Sequence, residues 1–313
     1  MTGRRSRSVR NLALAALLAS ACAGGFDPAR PRYLLESPPA SKDLVGRLGV
    51  HETSSEDTLI DLAPELGVGY VELLAANPGI DPWLPPDDAL LFVPNARLLP
   101  DAPRDGIVVN LGDLRLYYYE KGAAVRAYPI GIAKDGYATP MGVTSVKAKR
   151  EKPDWIPGES ARRDDPSLPA RVKPGPDNPL GEHALYLAWP SYLIHGTNDP
   201  RGVGRHSSRG CIRLYPEHIA ELYERVEPGT AVRVVNQPVK LGWIGGELYL
   251  EVNPDSEQSL QLDETGKLGE ASASSTLRGQ VTQAAGKQAK RVDWALVERI
   301  ALRRTGIPAR VTR

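Results

Sequence analysis

The chain has 313 residues, with 39 Lys and Arg against 38 Asp and Glu, and two cysteines. That length suits about two domains with a real core, and 41% hydrophobic with 25% charged residues describes a globular chain, not a disordered or multi-span membrane one. The balanced charge supplies no basic excess to displace counterions from phosphates, which argues against a dedicated nucleic-acid binder, while 30 Gly and 28 Pro point to short strands and turns.

In chain order, Arg4, Arg5, Arg7 and Arg10 precede an apolar run from Leu12 to Ala21. The run is too short to span a bilayer as a mature helix, and a basic segment followed by apolar and small residues forms a secretory signal over residues 1–21. Leu18-Ala19-Ser20-Ala21 before Cys22 resembles a bacterial lipobox. This makes Cys22 a lipidation candidate and implies an exported, periplasmic protein held to the outer membrane by a lipid anchor; ordinary cleavage within Ala21–Ala23 is the alternative. Loss of residues 1–21 removes four Arg and no acid, leaving 35 basic against 38 acidic residues, a formal −3 with no electrostatic pull toward a membrane. Cys211 is then the one thiol left. In an oxidising compartment such a cysteine is reactive, intermolecularly paired or buried and inert.

Residues 22–48 read as a Pro-rich tether, and residues 49–95 as a small module of helices and a strand. Thr58 caps the apolar-periodic segment Leu59 to Ala63, Gly67 and Gly69 break it, and Val71 to Asn77 is a second short helix ended by Pro78. Leu90 to Val93 is a strand before Pro94. Asp57-Thr58-Leu59, Leu73-Leu74-Ala75-Ala76-Asn77-Pro78 and that closing strand resemble a LysM module, and the resemblance implies binding to N-acetylglucosamine-containing glycan, meaning peptidoglycan in a bacterium.

From Asp105 the period becomes that of strands. Ile107 to Leu111 and Leu114 to Tyr119 flank Gly112-Asp113, and Val125 to Ile132 alternates again, which are hairpin signals. Lys149 to Glu182 then carries seven prolines and no period. A long irregular segment inside a compact domain is usually functional or disordered; because regular segments resume directly after it, this one reads as a lid over an active site. Tyr192-Leu193-Ile194 leads to His195, Ile219, Leu222, Tyr223 and Val226 give a helix after Pro216, and Ala231 to Val235 is a last strand. Within a C-terminal extension, residues 237–313, the composition over 255–291 is polar and reads as linker or flexible tail. Asp293 caps a terminal helix with Trp294, Val297, Ile300 and Ala301 on one face.

The chemistry concentrates in His195-Gly196-Thr197 and in Ser208-Arg209-Gly210-Cys211-Ile212-Arg213. A free thiol is only a few per cent thiolate at neutral pH, so cysteine nucleophilic catalysis wants an imidazole or a positive environment within reach. His195 ends a strand-like segment 16 residues before Cys211, and the turn-rich residues between can return the imidazole to the thiol. Gly210 lets backbone N–H groups approach an oxyanion. Arg213, two residues beyond Cys211 on a strand, shares its face and suits a substrate carboxylate. No Cys/His spacing suggests a metal and no Gly-rich loop a phosphate cofactor, so none is expected.

These residues resemble the L,D-transpeptidase catalytic domain of YkuD type, whose pattern is His-Gly-Thr followed by Ser/Thr-x-Gly-Cys-Ile/Val-Arg. Thr139-Pro140-Met141-Gly142, Lys152 to Pro157 and Gly175 to Gly181 match further. The resemblance covers residues 104–236 and implies a mostly β catalytic domain, a β-sandwich with one helix, beside the small α+β LysM-like module. It implies Cys211 as acylated nucleophile, His195 as general base, the amides of Arg209, Gly210 and Cys211 as an oxyanion hole, and Gly196, Thr197, Ser208 and Arg213 as substrate-binding. Many members carry His where this chain has Arg209; that position supplies a backbone amide, and a cationic side chain there would favour thiolate. The implied reaction is acyl transfer from the diaminopimelate–D-Ala bond of a peptidoglycan tetrapeptide stem to an amine, either another stem or an outer-membrane lipoprotein, as in the lipoprotein-anchoring (ErfK-like) branch. A hydrolase using the same acyl-enzyme and a non-catalytic wall-binding adaptor are the alternatives.

Overall fold

The computed structural model describes residues 41–269 and 274–313; the signal segment, Cys22 and most of the tether lie outside the described residues. β1 (Leu44–Val45) and β2 (Leu48–Glu52) lead into α1 (Leu59–Glu65), α2 (Tyr70–Ala76), β3 (Leu90–Pro94) and β4 (Arg97–Leu98). The Thr58 hydroxyl accepts from the Asp61 amide and caps α1, as the sequence suggests. β2, which carries no clear period, pairs antiparallel with β3 and completes a β-α-α-β unit. Asn77 clamps its parts together: its amide nitrogen donates to the Leu73 and Phe92 carbonyls, both at 2.9 Å, and its oxygen accepts from the Phe92 amide at 2.7 Å.

The next region is built from β5 (Gly106–Asn110), β6 (Arg115–Tyr119), β7 (Arg126–Pro129), β8 (Ile132–Ala133), β9 (Gly142–Glu151), β10 (His183–Leu187), β11 (Leu193–His195), β12 (His206–Ser208), β13 (Ile212–Arg213) and β14 (Ala231–Val235). Eight of these form one sheet in the order β13-β11-β10-β9-β14-β5-β6-β7, with β8 and β12 paired beside it. Gly131, just past β7, exchanges two backbone hydrogen bonds of 2.9 Å with Arg213 in β13. The sheet therefore curls until its two ends meet. The mostly β expectation holds, with the two layers made by one curled sheet. α4 (Pro216–Arg225) starts with proline at its first position and buries Ile219 and Leu222 against the sheet. β5 and β6 are buried on both faces: Ile107, Val109, Leu116 and Tyr118 face the main core, Val108, Tyr117 and Tyr119 a second cluster with Leu99. Burial on both sides is why Ile107 to Val109 is unbroken by a polar residue.

The C-terminal extension departs from its sequence reading. Ala231–Val235 is not the last strand: β15 (Val239–Ile244), β16 (Glu247–Val252) and β17 (Ala309–Arg310) form a separate three-stranded sheet. Nor are residues 255–291 linker throughout, since α5 (Ser256–Thr265) and α6 (Ser275–Ala285) are helices. Asp255 and Gln258 make a reciprocal cap at the start of α5, and Leu277, Val281 and Ala285, each four residues apart, form the thin stripe by which α6 joins the core under β16. Such a stripe is too sparse to stand out in composition, yet three residues per helix suffice when a sheet supplies the opposing surface. α7 (Trp294–Arg303) follows the expected Asp293 cap, whose carboxylate accepts from the Leu296 amide at 3.0 Å.

The three parts interlock through buried ions. Glu72 of α2 takes Arg115 of β6 at 2.6 Å and Arg97 of β4 at 2.5 Å, and Arg97 also donates to the Gly306 carbonyl of the C-terminal extension. Lys240 of β15 pairs with Asp113 at 2.6 Å and Glu251 at 2.9 Å. Backbone contact is equally close: a Cβ on Gly204, which has φ of +74°, would lie 2.1 Å from the Cα of Gly69, and Tyr215 donates its hydroxyl to the Val68 carbonyl at 2.7 Å. The residues of α1 and α2 join the main core of the curled sheet. The small N-terminal unit is thus a docked wall of the molecule, close to the loop that precedes Cys211.

Candidate active site

β11 and β13 are parallel neighbours with Ile194 opposite Ile212 and His195 opposite Arg213. Side chains alternate along a strand, so Ile194 and Ile212 point into the core, where both are buried, and His195 and Arg213 point to the other face. Cys211 directly precedes β13, and the Arg213 charge acts on both it and His195, which places imidazole, guanidinium and thiol in one neighbourhood at the sheet edge.

His195 is 4% exposed and its Nδ1 lies 2.6 Å from the Gly196 carbonyl. A carbonyl only accepts, so Nδ1 carries the proton and Nε2 keeps its lone pair. Burial, reinforced by the nearby Arg213 charge, pushes the imidazole pKa down to about 3. The Cys211 thiol donates to the Ser191 carbonyl at 3.6 Å. Burial raises its pKa, opposed by a hydrogen bond from the Leu193 backbone and by Arg213. The sequence points to a thiolate favoured by positive neighbours; here burial wins over them, and the thiol and the imidazole both rest neutral. Arg209 plays no part in that balance, because its guanidinium turns away to Asp164 at 2.9 Å.

Gly210 has φ of +122°, and a Cβ there would meet the Tyr192 ring at 2.9 Å and the Ala138 carbonyl at 3.0 Å. Glycine is required on both counts. The Gly210 carbonyl accepts from Thr139 of the Thr-Pro-Met-Gly turn at 3.0 Å, and its amide donates to Ser208 Oγ at 3.0 Å. Ser208 Oγ in turn donates to the Cys211 carbonyl at 2.6 Å. Of the three amides expected to line an oxyanion hole, that of Gly210 is bonded within its own loop. Ser208, 1% exposed, spends its hydroxyl inside the loop instead of offering it to substrate.

The other expected substrate contacts divide similarly. Thr197 Oγ1 donates to the Asp199 carbonyl at 3.1 Å and accepts from the Asp199 amide at 3.0 Å, closing a turn. At Gly196 a Cβ would lie 3.0 Å from Ile219 of α4 and 3.3 Å from the Leu180 carbonyl, so this glycine lets the helix and the lid's end approach. Arg213 is different: its buried Nε has no hydrogen-bond partner, and a Cβ on Gly202 would lie 3.3 Å from its Nη1. The side chain is half-buried with Asp199 near enough to act on its charge, yet the unpaired Nε leaves a donor that a ligand anion could satisfy.

His206 is half-buried with Nδ1 donating to the Ala133 carbonyl at 3.0 Å. It lines a cleft of about 500 Å³ with Lys134, Tyr137, Asp164, Arg205 and Asp263. Features that spacing did not reveal are the Ser191 carbonyl, held by a left-handed residue of φ +68°, the Tyr192 ring over Gly210, and Asp164. They meet Cys211 and its loop across 18 to 45 residues, and no local motif announces them.

The proline-rich insertion straddles this edge. Trp155 and Val172 exchange two backbone hydrogen bonds that close its stem, α3 (Glu159–Asp164) sits at its tip, and Asn178 ties its return to the Pro153 carbonyl at 2.7 Å. Gly181, at φ +67°, packs on the Gly196–Thr197 backbone, while Asp164 reaches Arg209. The lid thus touches the histidine side at its base and the cysteine side at its tip.

Residues 104–234 match the L,D-transpeptidase catalytic domain family, YkuD. The chain is 44% identical to the probable L,D-transpeptidase YcfS of Escherichia coli (strain K12) over 65% of this chain and 67% of that one. It is 36% identical to the probable L,D-transpeptidase ErfK/SrfK of Salmonella typhimurium over 88% and 90%, and 36% identical to the probable L,D-transpeptidase YbiS of Escherichia coli (strain K12) over 96% and 99%.

Proposed function

Since the chain belongs to the L,D-transpeptidase family, we propose that Cys211 and His195 are the residues through which it works on peptidoglycan, and that its acceptor is an amine. Cys211 Sγ attacks the carbonyl joining meso-diaminopimelate to the terminal D-Ala of a tetrapeptide stem. As the S–C bond forms, His195 Nε2 takes the thiol proton and then gives it to the departing nitrogen, so that the C–N bond breaks, D-Ala leaves with a neutral amine and a thioester remains. The acceptor amine attacks the thioester, loses a proton to His195, and the C–S bond breaks with return of the proton to sulfur. The product is an amide joined to a second stem or to the terminal lysine of an outer-membrane lipoprotein.

The neutral resting pair suits this sequence. The thiol must leave the Ser191 carbonyl and turn toward Nε2 as substrate arrives, so the proton moves during attack and no standing ion pair is needed. The amides of Cys211 and Arg209 are the donors for the developing oxyanion. Arg213, with its unpartnered Nε, is the group for a stem carboxylate. The β-α-α-β unit resembles LysM and would hold glycan strands beside the site; a signal over residues 1–21 with lipid on Cys22 would keep the enzyme in the periplasm at the outer membrane.

The observation that carries this reading is the parallel register of β11 and β13, which sets His195 opposite Arg213, two residues past Cys211, so that the Arg213 charge acts on both groups. The test is incubation with purified tetrapeptide muropeptides and identification of products by mass. Joined stems support transfer, tripeptide without joining supports a hydrolase, and unchanged stems with retained sacculus binding support an adaptor.

A further inference from the structure

Asp164 is the end of α3, the six-residue helix at the tip of the lid, and three side chains from the catalytic region converge on its carboxylate. Tyr137 donates its hydroxyl at 2.9 and 2.8 Å, Arg209 its Nε at 2.9 Å, and Lys134 Nζ stands 3.5 Å away. Lys134 also lies over the Tyr137 ring, 5.3 Å from its centroid. These partners hold the loop itself: the Lys134 amide donates to the Ser208 carbonyl at 2.8 Å, and Arg209 precedes Gly210 and Cys211. At the other end of the insertion Gly181 rests on Gly196–Thr197 beside His195.

We infer that Asp164 is a positioning residue that latches the lid onto the loop carrying Cys211, and that the latch decides whether the acyl-enzyme meets an amine or water. This inference rests on the acyl-transfer reading above for its second half only. An amine attacking the thioester forms a new amide and returns the thiol; water attacking the same carbonyl breaks the same C–S bond, leaves a carboxylate and also returns the thiol. The two acceptors differ in access, and a lid pinned over both halves of the pair excludes bulk water while the stem occupies the site. One exposed ion pair would be a weak fastener. Two hydrogen-bond donors and an ion pair on one carboxylate form a network, and they hold Asp164 ionised, its pKa lowered first by the Tyr137 and then by the Arg209 hydrogen bond. Arg209 gains a purpose here: its amide faces the reaction while its side chain grips the lid.

The experiment uses the full mature chain and compares Asp164→Asn, Tyr137→Phe and the conservative Asp164→Glu with wild type. Hydrogen exchange at the Arg162 and Asp165 amides, which bond within the tip to Gly158 and Ala161, reads lid opening without reference to chemistry. Product masses read the ratio of hydrolysed to joined stems, and D-Ala release reads acylation. The expected result is exchange faster by roughly threefold or more in Asp164→Asn and Tyr137→Phe, with the hydrolysed-to-joined ratio rising by a similar factor. D-Ala release should stay within about twofold, and Asp164→Glu should restore most of the wild-type values. Unchanged exchange in both variants overturns the latch. Faster exchange with an unchanged ratio overturns its link to water exclusion. Wild-type protein that never releases D-Ala overturns the acyl-transfer reading, and the exchange result then decides the latch by itself.

Discussion

Glu72 and His195 are both buried titratable groups less than a tenth exposed, and the protein treats them in opposite ways. Around Glu72, two guanidiniums from separate strands supply compensating charge, and the carboxylate is held below its ordinary range although burial alone would raise it. No carboxylate among the described residues shifts either His195 or Cys211, Arg213 adds a positive charge, and burial drives both groups to their neutral forms. The first arrangement fastens α2, β4, β6 and the C-terminal extension together. The second keeps a proton and a lone pair ready on one sheet edge. Pairing distinguishes a structural ion cluster from a reactive one; burial does not.

The most severe way to break the contrast is to remove the sulfur. Cys211→Ala should lower turnover by on the order of 10⁴-fold or more while leaving thermal unfolding nearly unchanged, read by product mass and calorimetry. Removing the structural anion does the reverse: Glu72→Ala strands Arg97 and Arg115 and should cost roughly 3–5 kcal/mol in denaturant unfolding. Gly210→Ala forces a side chain against Tyr192 and Ala138 and should reduce acylation about 100-fold with a folded protein, because the loop carrying the nucleophile shifts.

Acid sharpens the comparison with a smaller effect. The folded His195 has its pKa pushed down to about 3, so stability it contributes is complete above about 6.5 and is lost as pH falls from there toward 3. Glu72, also depressed, loses its contribution as pH falls through its lowered value. Unfolding free energy measured against pH should therefore decline below about 6.5, and His195→Gln should make the part between 6.5 and the carboxylate range less steep, the remainder coming from His206 and His218, whose pKa values burial also lowers. A wild-type curve that is level through this interval would rule out a buried neutral imidazole.

How far the sequence could carry this account differs by region. The proposed site residues His195, Cys211 and Gly210 stand out in the sequence because each chemical demand falls on a particular residue type within a 17-residue stretch, and β5 and β6 were legible because two buried faces need an unbroken apolar run. The Asp293 cap and the proline at the start of α4 are local signals and both hold. β15 to β17 with α5 and α6 were hidden: the strand at 309–310 is two residues long, and α6 contributes only Leu277, Val281 and Ala285 to its core. The bond from the Gly210 amide to the Ser208 hydroxyl is set by loop geometry that no spacing encodes. Asp164 was invisible for a similar reason, since 45 residues separate it from Arg209 and only the folded lid brings them together.

The most direct test of a neutral resting pair is the pH titration of thiolate ultraviolet absorbance in wild-type protein, with Cys211→Ala as the blank. No thiolate signal at neutral pH, and a midpoint above the ordinary cysteine range, is the result expected here. A full thiolate signal at pH 7 that disappears in His195→Gln would mean a standing thiolate–imidazolium pair, and would contradict the account at its centre.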